Sequence, residues 1–222
     1  RSLTLQASNG AALTVNNAIA NNNGQLYVIN TGVVTLKGAS TAIGATTIAE
    51  GGYLKLGVTN AIRTNQNLTI GAAYNFTGSD QGTLDLAGFN QTVNSLVGTK
   101  NTSNVGADST RIVTNSATGT GTLTVGNGNG TGIFNGVIQD GGAGKIVALT
   151  KTGTGTLTLV GNSNYSGVTT ISGGAIAITH ANALGSTAGN TTIAATGASN
   201  GARLLISGNI NSPENITLTG TT

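Results

Sequence analysis

Short triplets of alternating apolar and polar residues recur along the whole chain, roughly a dozen residues apart. Typical examples are residues 3–5 (Leu-Thr-Leu), 84–86 (Leu-Asp-Leu) and 123–125 (Leu-Thr-Val). A period of two places both apolar side chains on one face of a β-strand and the polar one on the other. Gly, Asn, Ser or Asp in almost every gap predicts turns, and only residues 181–184 suit even a single helical turn. Even spacing of this kind fits a sandwich, a barrel or a β-solenoid.

Internal repetition decides between these folds. The segment from Gly32 to Ile70 matches the segment from Gly155 to Ile193: glycines fall on glycines, and both copies contain Thr-Thr-Ile followed by a turn and another alternating triplet. Flanking pieces correspond as well, with Asp85 opposite Leu205. Repetition over units of this size is the mark of solenoids, in which each coil buries its apolar edge against the next coil.

Composition agrees with a thin aliphatic core. The apolar share of 37% argues against disorder, while the aromatic share of 3% is too low for the large rings that fill most sandwiches. The chain has one proline, Pro213, and no cysteine, so a strand-rich fold must be held by burial and hydrogen bonds rather than by disulfides.

We therefore predict an all-β fold, a right-handed parallel β-helix (β-solenoid) that forms a single elongated rod. In such a fold, strands stack about 4.8 Å apart, so like charges at equivalent positions would repel, which explains a charged share of only 7%. We expect two continuous modules, residues 1–110 and 111–222, with the best-matching repeat at 149–185. Because Arg1 stands inside the pattern, we expect the chain to be an internal segment of a longer protein.

The second copy resembles a known repeat. Residues 149–159 (Leu-Thr-Lys-Thr-Gly-Thr-Gly-Thr-Leu-Thr-Leu) are followed by 161–167 (Gly-Asn-Ser-Asn-Tyr-Ser-Gly) and continue to Gly185. Together they resemble the autotransporter-associated β-helix repeat, also called the passenger-associated transport repeat. Residues 134–141 are similar to the segment that leads into it. The first copy departs from the pattern at residues 39–43. The resemblance implies a right-handed parallel β-helix that a C-terminal barrel carries through the outer membrane for display outside the cell.

Enzymatic chemistry finds little support in the residues. Polysaccharide lyases and hydrolases built on β-helices need two or more converging acidic residues. Asp85 points outward from its strand and is predicted to be a solvated surface residue rather than a catalytic one. The acidic residues, which are far apart in sequence, are Glu50, Asp80, Asp85, Asp108, Asp140 and Glu214. We predict no enzyme activity and no catalytic residue.

Three further patterns are interpreted as structural. Residues 141–146 resemble a calcium-binding nonapeptide, but Lys145 stands where an aspartate ligand belongs. The glycine-rich segment 126–130 has no following P-loop lysine and predicts a flexible turn. His180 has no partner for metal or nucleophilic work and is predicted to be a surface or packing residue. We therefore predict no cofactor-binding residue and no metal site. Asn-x-Ser/Thr sequons, for example at Asn75, Asn164 and Asn215, are attributed to composition.

Charge and hydropathy exclude two kinds of partner. The net charge of +3 comes from basic residues that are spread along the chain without aromatic interleaving, which is not a nucleic-acid footprint. No apolar run is long enough to span a bilayer. The basic residues in question are Lys37, Lys55, Arg63, Lys100, Arg111, Lys145, Lys151 and Arg203.

These observations predict a structural or adhesin segment of a bacterial autotransporter-type surface protein, displayed at the outer membrane as a stalk and interaction surface. Expected partners are a host or neighbouring-cell surface, or self-association. The alternative is a subunit of a self-assembling extracellular filament. Two weaker alternatives are polysaccharide lyase or hydrolase activity and an ice-binding solenoid; the latter rests on Thr pairs at 122/124 and 156/158, which the sequence does not repeat on every coil.

Overall fold

The computed structural model describes residues 2–20, 24–41, 44–71, 80–98, 107–194 and 201–220. Their regular structure is β-strand, and none of them belongs to a helix that could cross a membrane. The strands are β1 (Leu3–Gln6), β2 (Ala12–Val15), β3 (Leu26–Ile29), β4 (Val33–Leu36), β5 (Thr46–Ile48), β6 (Gly52–Leu56), β7 (Asn67–Ile70), β8 (Gly82–Asp85), β9 (Gln91–Val93), β10 (Ser95–Val97), β11 (Arg111–Thr114), β12 (Gly119–Val125), β13 (Gly132–Phe134), β14 (Val137–Ile138), β15 (Lys145–Lys151), β16 (Thr156–Leu159), β17 (Thr169–Ile171), β18 (Ala175–Ile178), β19 (Thr191–Ala194), β20 (Arg203–Ile206) and β21 (Ile216–Thr219).

Every strand pair among the described residues is parallel, and partners come from successive coils. Paired residues lie 19 to 32 positions apart, from Leu157 with Ile176 to Gln91 with Leu123. Since parallel strands need a crossover before they can pair, a separation of this size means that the chain makes one full turn between neighbours. The prediction of an all-β parallel β-solenoid is confirmed.

Four sheets form the faces of the solenoid. Their strand orders are β1-β3-β5-β7-β10 (sheet A), β2-β4-β6-β8-β11-β14 (sheet B), β9-β12-β15-β17-β19-β21 (sheet C) and β13-β16-β18-β20 (sheet D). The N–H of Gly98, directly after β10, donates to the carbonyl of Ile133 in β13 at 2.9 Å, so sheet D continues sheet A. Early coils use sheets A and B, whereas late coils use sheets D and C.

The core consists of columns of inward-facing aliphatic side chains. In sheet B, strand register aligns Leu13, Val34, Leu54, Leu84, Val113 and Ile138. All of these except Leu13 are buried, as alternation predicted. Each fully buried aliphatic side chain contributes about 1.5–3 kcal/mol, which is how a core almost free of rings is stabilised.

The predicted boundary between residues 110 and 111 stays a prediction. β8 and β11, one strand from each predicted module, are neighbours in sheet B and pair over four residues.

Turn residues explain several of the corners. Residues 181–184 form a turn, in which the N–H of Ala183 donates to the carbonyl of His180. Gly126 and Gly128 have positive φ angles of 117° and 126°, so the predicted turn in the glycine-rich segment is confirmed.

Candidate functional site

Asp85 is not a solvated surface residue, so that prediction is wrong. Its side chain lies on the outward side of β8, next to Lys55 in register, yet it is fully buried. Its Oδ1 accepts hydrogen bonds from the N–H groups of Ala87 (2.9 Å) and Ser116 (2.8 Å), and Oδ2 accepts from the Tyr53 hydroxyl (3.0 Å). Burial and the adjacent carboxylate together raise the pKa of Tyr53. Asp85 therefore ties three coils together.

Arg111 is a buried cation. Its side chain is 1% exposed and enters the core from the start of β11. The guanidinium lies 2.9 Å from an Asp108 oxygen and 3.5 Å from an Asp80 oxygen, and it donates to the Asn135 amide oxygen at 2.9 Å. The structure thus brings together two carboxylates that are distant in sequence, and one buried cation pairs with both. A Cβ at Gly71 would lie 2.3 Å from Nε of Arg111, so glycine there makes room for the guanidinium.

Asp108 is held ionised in this cluster. Burial alone would raise the pKa of Asp108, but two hydrogen bonds from Thr110 and the Arg111 charge outweigh it and lower that pKa. A general acid needs a raised pKa, so this carboxylate is suited to an ion pair and not to proton donation.

Asp140 is also engaged in backbone hydrogen bonds. Oδ1 accepts from the N–H of Val147 at 2.8 Å, while Oδ2 accepts from the N–H (3.1 Å) and the hydroxyl (2.5 Å) of Ser166. These bonds fix the loop 139–145 to the neighbouring coil. Glu214 accepts a hydrogen bond from the Thr191 hydroxyl at 3.4 Å; burial raises the pKa of Glu214 and that bond opposes the shift. Glu50 occupies a turn with a φ of 51°.

Lys151 is a second buried cation, for which the sequence analysis predicted no role in the core. It follows Val147 and Leu149 on the inward face of β15, where register places it between Val125 and Ile171. Its ammonium donates to the carbonyl of Thr152, and desolvation lowers the pKa of Lys151 to about 8. Because a Cβ at Gly126 would stand 3.0 Å from the nitrogen, glycine at that position leaves space for it.

The two copies of the repeat share a buried serine whose hydroxyl accepts a hydrogen bond from a backbone N–H of the preceding coil. The Ser40 hydroxyl accepts from the N–H of Ile19 at 2.9 Å, and the equivalent Ser163 hydroxyl accepts from the N–H of Ile138 at 3.2 Å. Both serines are less than 5% exposed. An unpaired buried N–H is costly, which accounts for serine at this offset in both copies.

The remaining residues considered in the sequence analysis are His180, the loop at 141–144, the sequon at Asn75 and Lys100. The N–H of Asn182 donates to Nδ1 of His180 at 3.1 Å, so this half-buried imidazole caps the following turn. The loop at 141–144 is exposed, and no group of three or more metal-ligating side chains lies together within the described ranges. The sequon at Asn75 falls outside the described residues. Lys100 does as well.

A threonine row runs along the outer face of sheet C. Register aligns one threonine from each of its six strands, from Thr92 to Thr217. The row beside it does not continue, since Thr122 pairs with Ala148; nor does the row on sheet D, where Thr158 pairs with Ile133 and Ala177. Paired threonines are therefore interrupted, as the sequence indicated. The six in the row are Thr92, Thr124, Thr150, Thr170, Thr192 and Thr217.

One groove on the outside of sheet B was not predicted. It has a volume of about 350 Å³ and lies where β14 ends and the loop 139–145 rises beside the sheet. No local sequence pattern indicates this groove, because its residues come from four coils. Strand register brings these residues side by side in the folded chain. The lining residues are Tyr53, Thr83, Ile112, Thr114, Ser116, Gln139, Asp140, Gly141 and Lys145.

Comparison with known proteins agrees with the repeat. The model of the passenger-associated transport repeat matches the chain twice, at residues 29–56 and 149–178. No curated protein and no solved structure matches the chain. The two matches fall on the two copies found by internal comparison, and this repeat family implies secretion to the cell surface. Two segments of the chain therefore match the passenger-associated transport repeat, a repeat found in autotransporter passengers.

Proposed function

We propose that this chain is a non-enzymatic stalk and interaction surface of an autotransporter-type protein displayed at the outer membrane. The observation that carries the proposal is how the buried polar groups are used. Asp85, Asp140 and Ser163 all accept backbone N–H groups from other coils, those of Ser116, Ser166 and Ile138, and Arg111 is paired with two carboxylates. These groups hold neighbouring coils in register, and a stalk needs its coils to stay stacked in this way.

A stalk depends on length and continuity more than on any single side chain. Leu157 and Ile176 occupy the same inward position on successive coils, so deleting residues 157–175 removes one coil and keeps every column in register. We expect cells carrying this deletion in the full-length protein to display it at normal levels. Adhesion or aggregation of those cells should fall only slightly.

The matched control deletes residues 157–166. This shorter deletion breaks the register, moves inward side chains to the wrong positions and should abolish folding and display. Surface labelling and a cell-aggregation assay measure both outcomes. Normal display after the off-register deletion, or complete loss of adhesion after the in-register one, would contradict a stalk role.

A further inference from the structure

The groove on sheet B combines one aromatic ring, one aliphatic side chain and several polar groups. Tyr53, Thr83 and Ile112 are register partners on three successive strands, so they line the floor over two strand spacings, about 10 Å. Thr114 continues the floor along β11, while Ser116 and the loop 139–145 form the walls. All the side chains that line it are partly exposed.

The groove is rigid because its supports are hydrogen-bonded. The Tyr53 hydroxyl donates to Asp85, which also holds the N–H of Ser116. On the opposite wall, Asp140 is fixed by Val147 and Ser166. A preformed site avoids the cost of ordering loops when a ligand binds.

Several polar side chains in the groove have no hydrogen-bonding or ionic partner among the described residues. Within the described part of the chain, the hydroxyls of Thr83 and Thr114, the Gln139 amide and the Lys145 ammonium make no side-chain hydrogen bond or ion pair. These four groups offer both donors and acceptors around the Tyr53 and Ile112 side chains. The single positive charge of Lys145 faces the negative charge of Asp140 on the same wall, so the groove favours no strongly charged ligand.

This chemistry selects among ligand classes. A peptide added to a sheet would need an unpaired strand edge, and the groove lies on the face of the sheet instead. Nucleic acid would need a cluster of cations. A neutral sugar presents an apolar ring face together with a rim of hydroxyls, which matches one aromatic ring surrounded by unpaired donors and acceptors. The volume of about 350 Å³ is near the lower end for small-molecule sites and suits one or two sugar rings.

We propose that this groove binds a neutral mono- or disaccharide unit of a cell-surface glycan. The inference deepens the proposed function, because it assigns a ligand class to one part of the interaction surface. Tyr53 and Ile112 contact the ring face, and Thr83, Thr114, Gln139 and Lys145 bind its hydroxyls.

The test uses saturation-transfer NMR on the intact 222-residue chain with lactose, maltose, cellobiose and diacetylchitobiose, each at millimolar concentration. We expect saturation of at least one of these sugars. The double variant Thr114→Val, Gln139→Ala should weaken its binding about five- to 150-fold, since it removes two hydrogen bonds that contribute roughly 0.5–1.5 kcal/mol each. Thr47→Val, an isosteric change on the outer face of sheet A, serves as the matched control and should leave binding unchanged.

Three results would overturn the inference: none of the four sugars binds, the double variant binds as well as the parent while remaining folded, or a uronic-acid disaccharide binds more tightly than the neutral ones. Unfolding curves of each variant establish that it is folded. Failure here is distinguishable from failure of the stalk proposal, because the coil deletions report on display and adhesion, whereas the double variant changes only groove residues and reports on sugar binding.

Discussion

The two passenger-associated transport repeats have the same strand register but lie on different faces of the solenoid. In the first repeat, Val34 pairs with Leu54 in sheet B; in the second, the equivalent Leu157 pairs with Ile176 in sheet D. Between them, coils such as β7-β8-β9 place a strand on a third face, which moves the second repeat one face around the axis. The repeat therefore specifies which side chains point inward and where the chain turns, and it does not specify a face.

The two copies differ in chemistry at one inward position. Val28, one residue before the first match begins, corresponds to Lys151 in the second repeat, and the residue stacked on each is an isoleucine, Ile48 or Ile171. An aliphatic column thus tolerates a lysine where a carbonyl, that of Thr152, accepts its hydrogen bond and a glycine, Gly126, leaves space. The comparison teaches that equivalent positions share geometry but not chemistry.

The strongest test of that shared geometry truncates equivalent core side chains. Leu54→Ala and Ile176→Ala each remove a fully buried side chain from the same inward position. We expect each to lower the free energy of unfolding by about 2–5 kcal/mol, measured by urea denaturation followed by circular dichroism.

Leu205→Ala is the matched control for these truncations. Leu205 is 42% exposed, so the loss should be much smaller. Equal stability of either core variant and the parent would show that the two copies do not contribute comparable packing.

The buried lysine predicts that stability depends on pH. The pKa of Lys151 is about 8 in the folded chain against 10.5 when unfolded. The unfolded chain therefore binds more protons above pH 8, and the free energy of unfolding rises from there. Between pH 8 and 10 the rise should be about 2–3 kcal/mol, since each pH unit contributes about 1.4 kcal/mol. Below pH 8 both states are protonated and the gain is absent.

Lys151→Met should abolish most of this rise, because the side chain keeps its length but no longer titrates. Urea denaturation at several pH values gives the difference between variant and parent. Taking the difference removes a second effect that variant and parent share. Burial raises the pKa of Tyr53 and Tyr165, so above about pH 10 these tyrosines ionise more readily in the unfolded chain, and the free energy of unfolding falls in both proteins. Parallel pH profiles for variant and parent would contradict a desolvated amine at this position.

A smaller effect is expected from the serine that both repeats retain. Ser40→Ala and Ser163→Ala each leave an N–H without its acceptor, the half-buried one of Ile19 or the buried one of Ile138. We expect each change to cost about 1–3 kcal/mol. Chemical denaturation measures the loss, and Ser→Gly at the same positions, which also lacks the acceptor, should be no better. A loss in one repeat alone would show that the serines are not equivalent.

The sequence predicted most of the strands because alternation and turn residues act locally. It missed β14, where Val137 and Ile138 form a strand of two residues, too short to show a period. It also did not identify the buried cations. Lys151 and Arg111 alternate in phase with the inward-facing residues of their strands, but the sequence analysis considered only their spread along the chain. Parity alone would have identified both.

Asp85 and the groove could not have been predicted in the same way. Asp85 has outward parity and is buried only because Tyr53 and the turn after β8 cover it. The groove unites Tyr53 with Lys145, residues that stand in different modules of the sequence. Such neighbours depend on coil lengths that vary from 19 to 32 residues, and local patterns do not determine those lengths.

The smallest expected effect concerns the outward side of the repeats. Thr47 and Thr170 are equivalent, half-buried and placed on the outer faces of sheets A and C. Neither side chain fills the core, so Thr→Ala at either position loses only β-propensity and contact with cross-strand threonines, at most about 1 kcal/mol. Thermal unfolding of the two variants measures the loss. If Thr170→Ala cost several times more than Thr47→Ala, the continuous row on sheet C would be a cooperative hydrogen-bonded ladder. In that case the two repeats would differ on their surfaces as they already do at Val28 and Lys151.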